Sequence, residues 1–295
     1  MKAAVIHNGR LELEERPDPV AGEGELLIRA RAAGINRADL LQVAGGYPAP
    51  AGAPADIPGL ECAGEVVATG ERVLALLGGG GHAELVVVPE RHTLPVPENV
   101  EWPSAGGFME AFATAHDALF TQAGLRPDER LLVNGAAGGV GVAAVQLGLA
   151  AGAEVTGTAR SNADRVAALG ADTEPGGEYD VILELVGGDN LSAGVLRLAP
   201  GGRMIVIGTG AGSKAEIDFG RLMQRRARIQ SSTLRSRTVD EKAAVVEGLR
   251  RDVLPLLASG RLTVPVHETF PLAEAQRAYE AFAAGGKFGK LVLLP

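Results

Sequence analysis

The first third of the chain alternates short apolar runs with breaks rich in Gly and Pro. Runs bounded in this way, with alternating or β-branched positions, predict strands. They fall at Lys2–Ile6, Glu25–Ala32, Gly64–Thr69, Arg72–Leu77 and Ala83–Val88, with Pro-rich stretches at Tyr47–Pro58 and Pro89–Pro103. The pattern suits a largely antiparallel, barrel-like module rather than strands alternating with helices.

After Gly124 the rhythm changes. Arg130–Asn134 is a short apolar run, followed by a glycine-rich turn and a helical stretch to Ala151. Strands are then predicted at Ala153–Ala159, Tyr179–Val186 and Arg203–Gly208, with helices at Asn162–Leu169 and Leu191–Leu198. Ser213–Arg226 adds a helix and Arg228–Ser232 a sixth strand. Strand and helix in alternation mean parallel crossovers and a doubly wound sheet. The tail predicts a long helix over Asp240–Ser259, a strand at Val264–Phe270, a helix at Leu272–Ala284 and a closing strand at Leu291–Leu294. The nucleotide-type region is therefore inserted between two parts of another domain, or followed by a small separate one.

The turn after Arg130–Asn134 carries the first candidate chemistry. Ala136, Gly138 and Gly141 make a G/A-x-G-x-x-G pattern, with Ala137, Gly139 and Val140 between them. The first small residue allows the tight turn, the second lets a pyrophosphate lie against backbone, and the third lets helix pack on strand. The helix start adds N–H donors and a positive dipole end. The bland reading is a packing turn in a nucleotide-free domain. A dinucleotide site binding NAD carries Asp or Glu at the tip of the next strand, for the ribose 2′-hydroxyl. Here the tip reads Thr158-Ala-Arg160-Ser161, with Arg165 further on and no carboxylate at the tip. Arg160, Ser161 and Arg165 suit a 2′-phosphate, which predicts NADPH. Ser161 also reads as a helix N-cap with Asp164 at the third position. Gly187-Gly188 and Gly208-Thr209-Gly210 follow later strands, where backbone could approach ribose and nicotinamide or merely turn.

Composition narrows the class. The 41 glycines in 295 residues are about twice the usual share of roughly 7%. Tight turns and close backbone approach account for such a surplus. With 46% hydrophobic and 22% charged residues, wholesale disorder is excluded. A net charge of −8 disfavours nucleic acid as main partner. The arginines of Arg221–Arg237 alternate with apolar residues and read as a solvated face. The single Cys62 permits no intrachain disulfide and points to a reducing compartment. The start turns polar too early for a secretory leader, and the most apolar stretch, Gly138–Ala153, is broken by further glycines and Gln146. The expectation is a soluble, cytoplasmic protein without a membrane partner. His82, in Gly81-His82-Ala-Glu84, reads as a plain turn residue.

Taken in order, Gly34-Ile-Asn36-Arg-Ala-Asp39, Gly45-Gly-Tyr47-Pro48, Pro58-Gly-Leu60-Glu61-Cys62-Ala-Gly64, Gly81-His82-Ala-Glu84 and the glycine turn resemble the medium-chain dehydrogenase/reductase family. The resemblance covers essentially the whole chain and is to its zinc-free, zeta-crystallin-like quinone oxidoreductases. It implies a Rossmann doubly wound parallel sheet inserted in a partly β-barrel, GroES-like catalytic domain. The implied parts are residues 1–111 and 233–295 for the catalytic domain and 112–232 for the NADPH-binding domain. Where zinc members of the family place ligands, this chain has Asn36 and Leu60, with Glu110 near the third position. One cysteine and scattered histidines cannot build the tetrahedral nitrogen and sulfur ligation zinc prefers. The resemblance further implies that Asn36 and Tyr47 lie near the nicotinamide, Asn36 as an orienting donor and Tyr47 as donor to the acceptor or pocket wall. Thr114, Thr233 and Leu234 would contact the cofactor, and the chain would form a homodimer through edge strands near Arg228–Ser232.

Three functions remain open. The first is hydride transfer from NADPH to a small-molecule quinone, which needs no Lewis acid because the hydroquinone anion is aromatic. The second is reduction of an activated enone or enoyl thioester, with Tyr47 protonating the carbanion. The third is an NADPH-binding sensor without turnover.

Overall fold

In the computed structural model, which describes residues 1–295, Lys2–His7 (β1) and Arg10–Glu15 (β2) form an antiparallel hairpin. Asn8 and Gly9 both take positive φ at its tip, the pairing that two-residue hairpins require. Glu25–Gly34 (β3) is the longest strand; Ile28, Ala30 and Ala32 turn inward while Arg29 and Arg31 face solvent. After the short helix Arg37–Val43 (α1) come Glu61–Val66 (β4), Arg72–Leu76 (β5), Leu85–Pro89 (β6) and Thr93–Pro95 (β7). Trp102–Gly106 (α2) precedes Met109–His116 (α3), which runs on into a wide π-turn over Asp117–Gln122.

The next region alternates as its sequence predicts: Arg130–Asn134 (β8), Gly139–Ala150 (α4), Glu154–Thr158 (β9), Ala163–Ala167 (α5), Tyr179–Glu184 (β10), Asp189–Leu196 (α6), Leu198–Val206 (β11), Phe219–Arg225 (α7) and Arg228–Ser231 (β12). All its pairings are parallel, in the order β12-β11-β10-β8-β9. The sheet has five strands rather than six. Where a further strand would flank β9, only a bridge between Thr156 and Asp172 forms. The segment from Gly170 to Tyr179 is short and interrupted by Pro175, Gly176 and Gly177, which leaves no run for a ladder.

The tail holds Val239–Asp252 (α8), Leu254–Ala258 (α9), Val266–Pro271 (β13), Ala275–Ala284 (α10) and Lys290–Leu294 (β14). The helix expected over Asp240–Ser259 is two helices. Val253, at φ −111°, is a turn residue between them, two residues before Pro255, whose ring disfavours continuous helix. β14 lies between β13 and β3 in a sheet ordered β13-β14-β3-β4-β5-β7, with β6 also on β3.

The chain divides into two units, Met1–Ala113 with Leu234–Pro295, and Thr114–Thr233. In the first, Ile28, Ala30, Cys62, Val66, Val73, Ala75, Val86 and Val88 form the core between β3, β4, β5 and β6. In the second, Leu132, Tyr179, Ile182, Val195, Leu198 and Met204 do so. No helix is long and apolar enough to cross a membrane.

Candidate functional site

In the second unit, β8 turns into α4 through Gly135 (φ +87°), whose N–H and that of Ala136 both donate to the Thr158 carbonyl. Gly138 is the N-cap of α4, so the turn from Ala137 to Val140 presents helix-start N–H groups, partly open to solvent. A Cβ on Gly141 would lie 2.3 Å from the Gly135 carbonyl oxygen, and one on Gly157 would lie 2.8 Å from Ala136 Cβ. Both glycines are demanded by the fold. A Cβ on Gly138 would meet nothing nearer than 3.6 Å, so the protein itself leaves that face open. This cradle fits the pyrophosphate of a dinucleotide.

Beneath it runs a network that sequence reasoning missed. Glu184, fully buried at the end of β10, accepts from Asn134 Nδ2 (2.6 Å) and from the N–H groups of Val186 and Gly187. Asn134 Oδ1 in turn accepts from Thr158 Oγ1 (2.8 Å). The ends of β10, β8 and β9 are thus tied side to side. The available signal was a lone carboxylate closing an apolar strand.

Arg160, Ser161 and Arg165 are all exposed at the β9–α5 corner. The N-cap of α5 is Asn162, in left-handed geometry, not Ser161. Ser161 Oγ instead accepts from Asn162 Nδ2 (3.3 Å), because the chain needs one more residue to turn into the helix. The loops at Gly187-Gly188 and Gly208-Thr209-Gly210 hydrogen-bond to one another, Gly188 N–H to the Gly212 carbonyl and Ala211 N–H to that of Val186. A Cβ on Gly208 would sit 2.3 Å from the Leu185 carbonyl, while Thr209 and Gly210 stay exposed. Thr114 is half-buried on α3; Thr233 is exposed and Leu234 buried.

In the first unit the sequence-chosen residues lie in a buried polar network. Asn36, the N-cap of α1, accepts from Lys290 Nζ at Oδ1 (2.7 Å) and donates from Nδ2 to Glu61 Oε1 (2.8 Å) and to the Gly34 carbonyl (3.3 Å). Both its amide hydrogens are therefore committed within the protein. Lys290 Nζ also donates to Glu61 Oε1 (2.5 Å), and Glu61 Oε2 takes the backbone N–H of Glu110 (2.9 Å). Gly34 is required here, since a Cβ would lie 2.4 Å from Glu61 Oε1. Asp39, fully buried, accepts from the N–H groups of Asn36 (2.7 Å) and Gly59 (3.1 Å). Burial pushes its carboxyl up to about 7.

Two expectations are corrected. His82 does lie at a bend but is no plain turn residue: it is fully buried, its Nδ1 facing Tyr279 Oη (2.9 Å) and its Nε2 the Gly34 carbonyl (3.4 Å). Burial lowers it to about 4, so the ring stays neutral at neutral pH. The arginine run is not wholly a solvated face either. Arg235 is 4% exposed, donates to the carbonyls of Gly78 (2.8 Å) and Tyr47 (2.9 Å) and to Gln42 Oε1, and its guanidinium lies over the Tyr47 ring. A single cation reaching so many buried acceptors is invisible in a local pattern. Tyr47 itself is half-buried and held by that clasp.

Comparison with known proteins now bears on this geometry. Residues 22–98 match the alcohol dehydrogenase GroES-like domain and residues 154–293 the zinc-binding dehydrogenase domain. The chain is similar, at 35% identity and TM-score 0.88 over 100% of both chains, to the quinone oxidoreductase of Thermus thermophilus, a protein also described in complex with NADPH. It is 28% identical over 309 residues to the quinone oxidoreductase of Mus musculus, across 94% of this chain and 91% of that one. It is also 36% identical over 208 residues to the polyketide synthase GfsB of Streptomyces halstedii, but that stretch is only 4% of the synthase. The zinc named by one matching domain does not fit the residues present. No three His, Cys, Asp or Glu side chains converge to hold a metal ion. Asn36 is bonded to Glu61 and Lys290, and the Lys290 ammonium already supplies the positive charge there.

Proposed function

We propose, for a chain that belongs to the medium-chain dehydrogenase/reductase family on its quinone oxidoreductase-like branch, a zinc-independent transfer of hydride from NADPH to a quinone. The observation that carries this reading is the closed Asn36–Glu61–Lys290 network, which leaves no ligand set for a Lewis acid and favours an acceptor that needs none. The turn from Ala136 to Gly141 would hold the pyrophosphate, and Arg160, Ser161 and Arg165 the 2′-phosphate. Gly208, Thr209, Gly210, Thr114, Thr233 and Leu234 would border ribose and nicotinamide. When bound, the reduced nicotinamide supplies the hydride. Tyr47, kept in place by Arg235, donates to the acceptor oxygen or walls the pocket. Asn36 acts by fixing the wall beside it, since its own hydrogens are spent on Glu61 and Gly34. Positioning of this kind accounts for much of what a protein adds to cofactor chemistry.

Similarity to polyketide synthases favours a second reading, reduction of an activated enone with Tyr47 as proton donor. Purified protein with NADPH and phenanthrenequinone is expected to show quinone-dependent loss of NADPH absorbance. Tyr47→Phe should leave most of that rate, and enone reduction would instead fall by about 100-fold. Tight NADPH binding with no turnover on any acceptor would reject both and leave a sensor.

A further inference from the structure

The cation in the buried network of the first unit belongs to the chain itself. The side chains of Lys290 and Glu61 are 3% and 0% exposed, and their charged atoms lie 2.5 Å apart. Glu61 is engaged on both oxygens: Oε1 also takes Asn36 Nδ2 (2.8 Å), and Oε2 takes the Glu110 N–H (2.9 Å). Asn36 Oδ1 gives the ammonium a second, neutral acceptor at 2.7 Å. Two acceptor oxygens suit the directional N–H bonds of an ammonium. They fall short of the four ligands a zinc ion collects, and no three His, Cys, Asp or Glu side chains converge to complete such a set.

The backbone is cleared for this side chain. A Cβ on Gly107, the C-cap of α2, would lie 2.9 Å from Lys290 Cγ and 3.3 Å from its Cε, so the stem runs along bare main chain. Just before β14, Gly289 takes φ +78°, and a Cβ there would be 2.1 Å from the Pro265 carbonyl oxygen. The Lys290 N–H donates to that same carbonyl (2.9 Å), which fixes where the stem begins. Start, path and end point of the lysine are thus all set by the surrounding chain. The two charges are 229 residues apart in sequence, so no local pattern announces them.

We propose that the Lys290 ammonium is the resident cation of this unit, and that the seat formed by Glu61, Asn36 and Gly107 is selective for a primary alkylammonium over a metal ion. Asn36 stands in a ligand position of the zinc-holding members, and the charge beside it is supplied here by a tethered group instead of a bound ion. Lys290 fixes the Asn36 amide by holding its Oδ1. Nothing in this seat depends on which acceptor the nicotinamide reduces. Truncation by Lys290→Ala removes a stem and charge equivalent to n-propylammonium. It leaves the Glu61 carboxylate buried without its cation, the costly half of a broken pair.

The test asks whether a free ammonium returns to the seat. Lys290→Ala should melt about 10 °C below wild type, and n-propylammonium chloride should recover about half of that loss along a saturating curve while leaving wild type unmoved. n-Propanol, tetramethylammonium chloride and zinc chloride, matched for ionic strength, should recover none of it. Adding Glu61→Gln to Lys290→Ala should remove the rescue. Lys290→Met fills the space of the stem without its charge and should melt low with or without the amine. Adding Glu61→Gln to Lys290→Met should raise the melting temperature again, since the unpaired charge is gone. In wild type carrying isotope-labelled lysine, nitrogen NMR should show an ammonium signal protected from exchange with water and missing from Lys290→Met. The two Lys290→Met proteins and this signal decide the matter even where Lys290→Ala does not fold. Equal rescue by n-propanol, a larger rescue by zinc, no gain from Glu61→Gln beside Lys290→Met, or no protected ammonium in wild type overturns the proposal.

Discussion

Gly138 and Gly141 sit three residues apart, yet the same substitution should fail at each for a different reason. At Gly141 a methyl group runs into the Gly135 carbonyl, so Gly141→Ala should unfold the protein at lower temperature, with or without nucleotide. At Gly138 the methyl makes only an ordinary contact, 3.6 Å from the Gly135 carbonyl oxygen, with φ of −77° that any residue tolerates. Gly138→Ala should therefore keep its melting temperature while NADPH affinity falls by about 10-fold, as calorimetry would register. Equal melting losses in the two variants would contradict this division. Residues of this sort were legible in the sequence because their spacing encodes the turn. His82, Arg235 and Lys290 were not: each takes its partners from segments far along the chain, Tyr279, Gln42 and Glu61.

At the scale of elements, alternation and apolar runs marked the five parallel strands and the helices between them, although β11 begins at Leu198 rather than Arg203 and α7 at Phe219 rather than Ser213. The failures have local causes. The short α1 was hidden between a strand and a Pro-rich loop, and β2 was overlooked although Asn8-Gly9 announces a hairpin. The β9–α5 corner shows what an element boundary can decide. Its two exposed arginines follow a strand tip with no carboxylate, and Asn162 takes over the cap. Arg160→Glu combined with Arg165→Glu should raise the NADPH dissociation constant by about 10-fold or more while leaving NADH nearly unchanged. Fluorescence titration of both nucleotides decides it, and parallel losses would rule out a 2′-phosphate role.

On the scale of the molecule, one sheet ends in an open edge. β12 is exposed along its length, and Ile229 on it, with Phe219 and Met223 one turn apart on α7, leaves apolar surface uncovered. Unpaired edges of this kind are templates for another strand. A homodimer joined edge to edge is the expected state, so sedimentation should give twice the chain mass, and Ile229→Lys with Phe219→Asp should give single chains. A wild-type protein that sediments as one chain would exclude it.

The placement of β14 has a consequence for synthesis on the ribosome. Domains tend to fold as their residues emerge. Here Ala33 and Gly34, at the end of β3, lack their β14 neighbour, and Glu61 its cation, until Lys290, 229 residues after Glu61, leaves the exit tunnel. That end of β3 must therefore wait while the inserted unit is made and can fold ahead of it. A chaperone that shields the Ala33–Gly34 end of β3 during that interval would act on the nascent chain rather than on the finished protein.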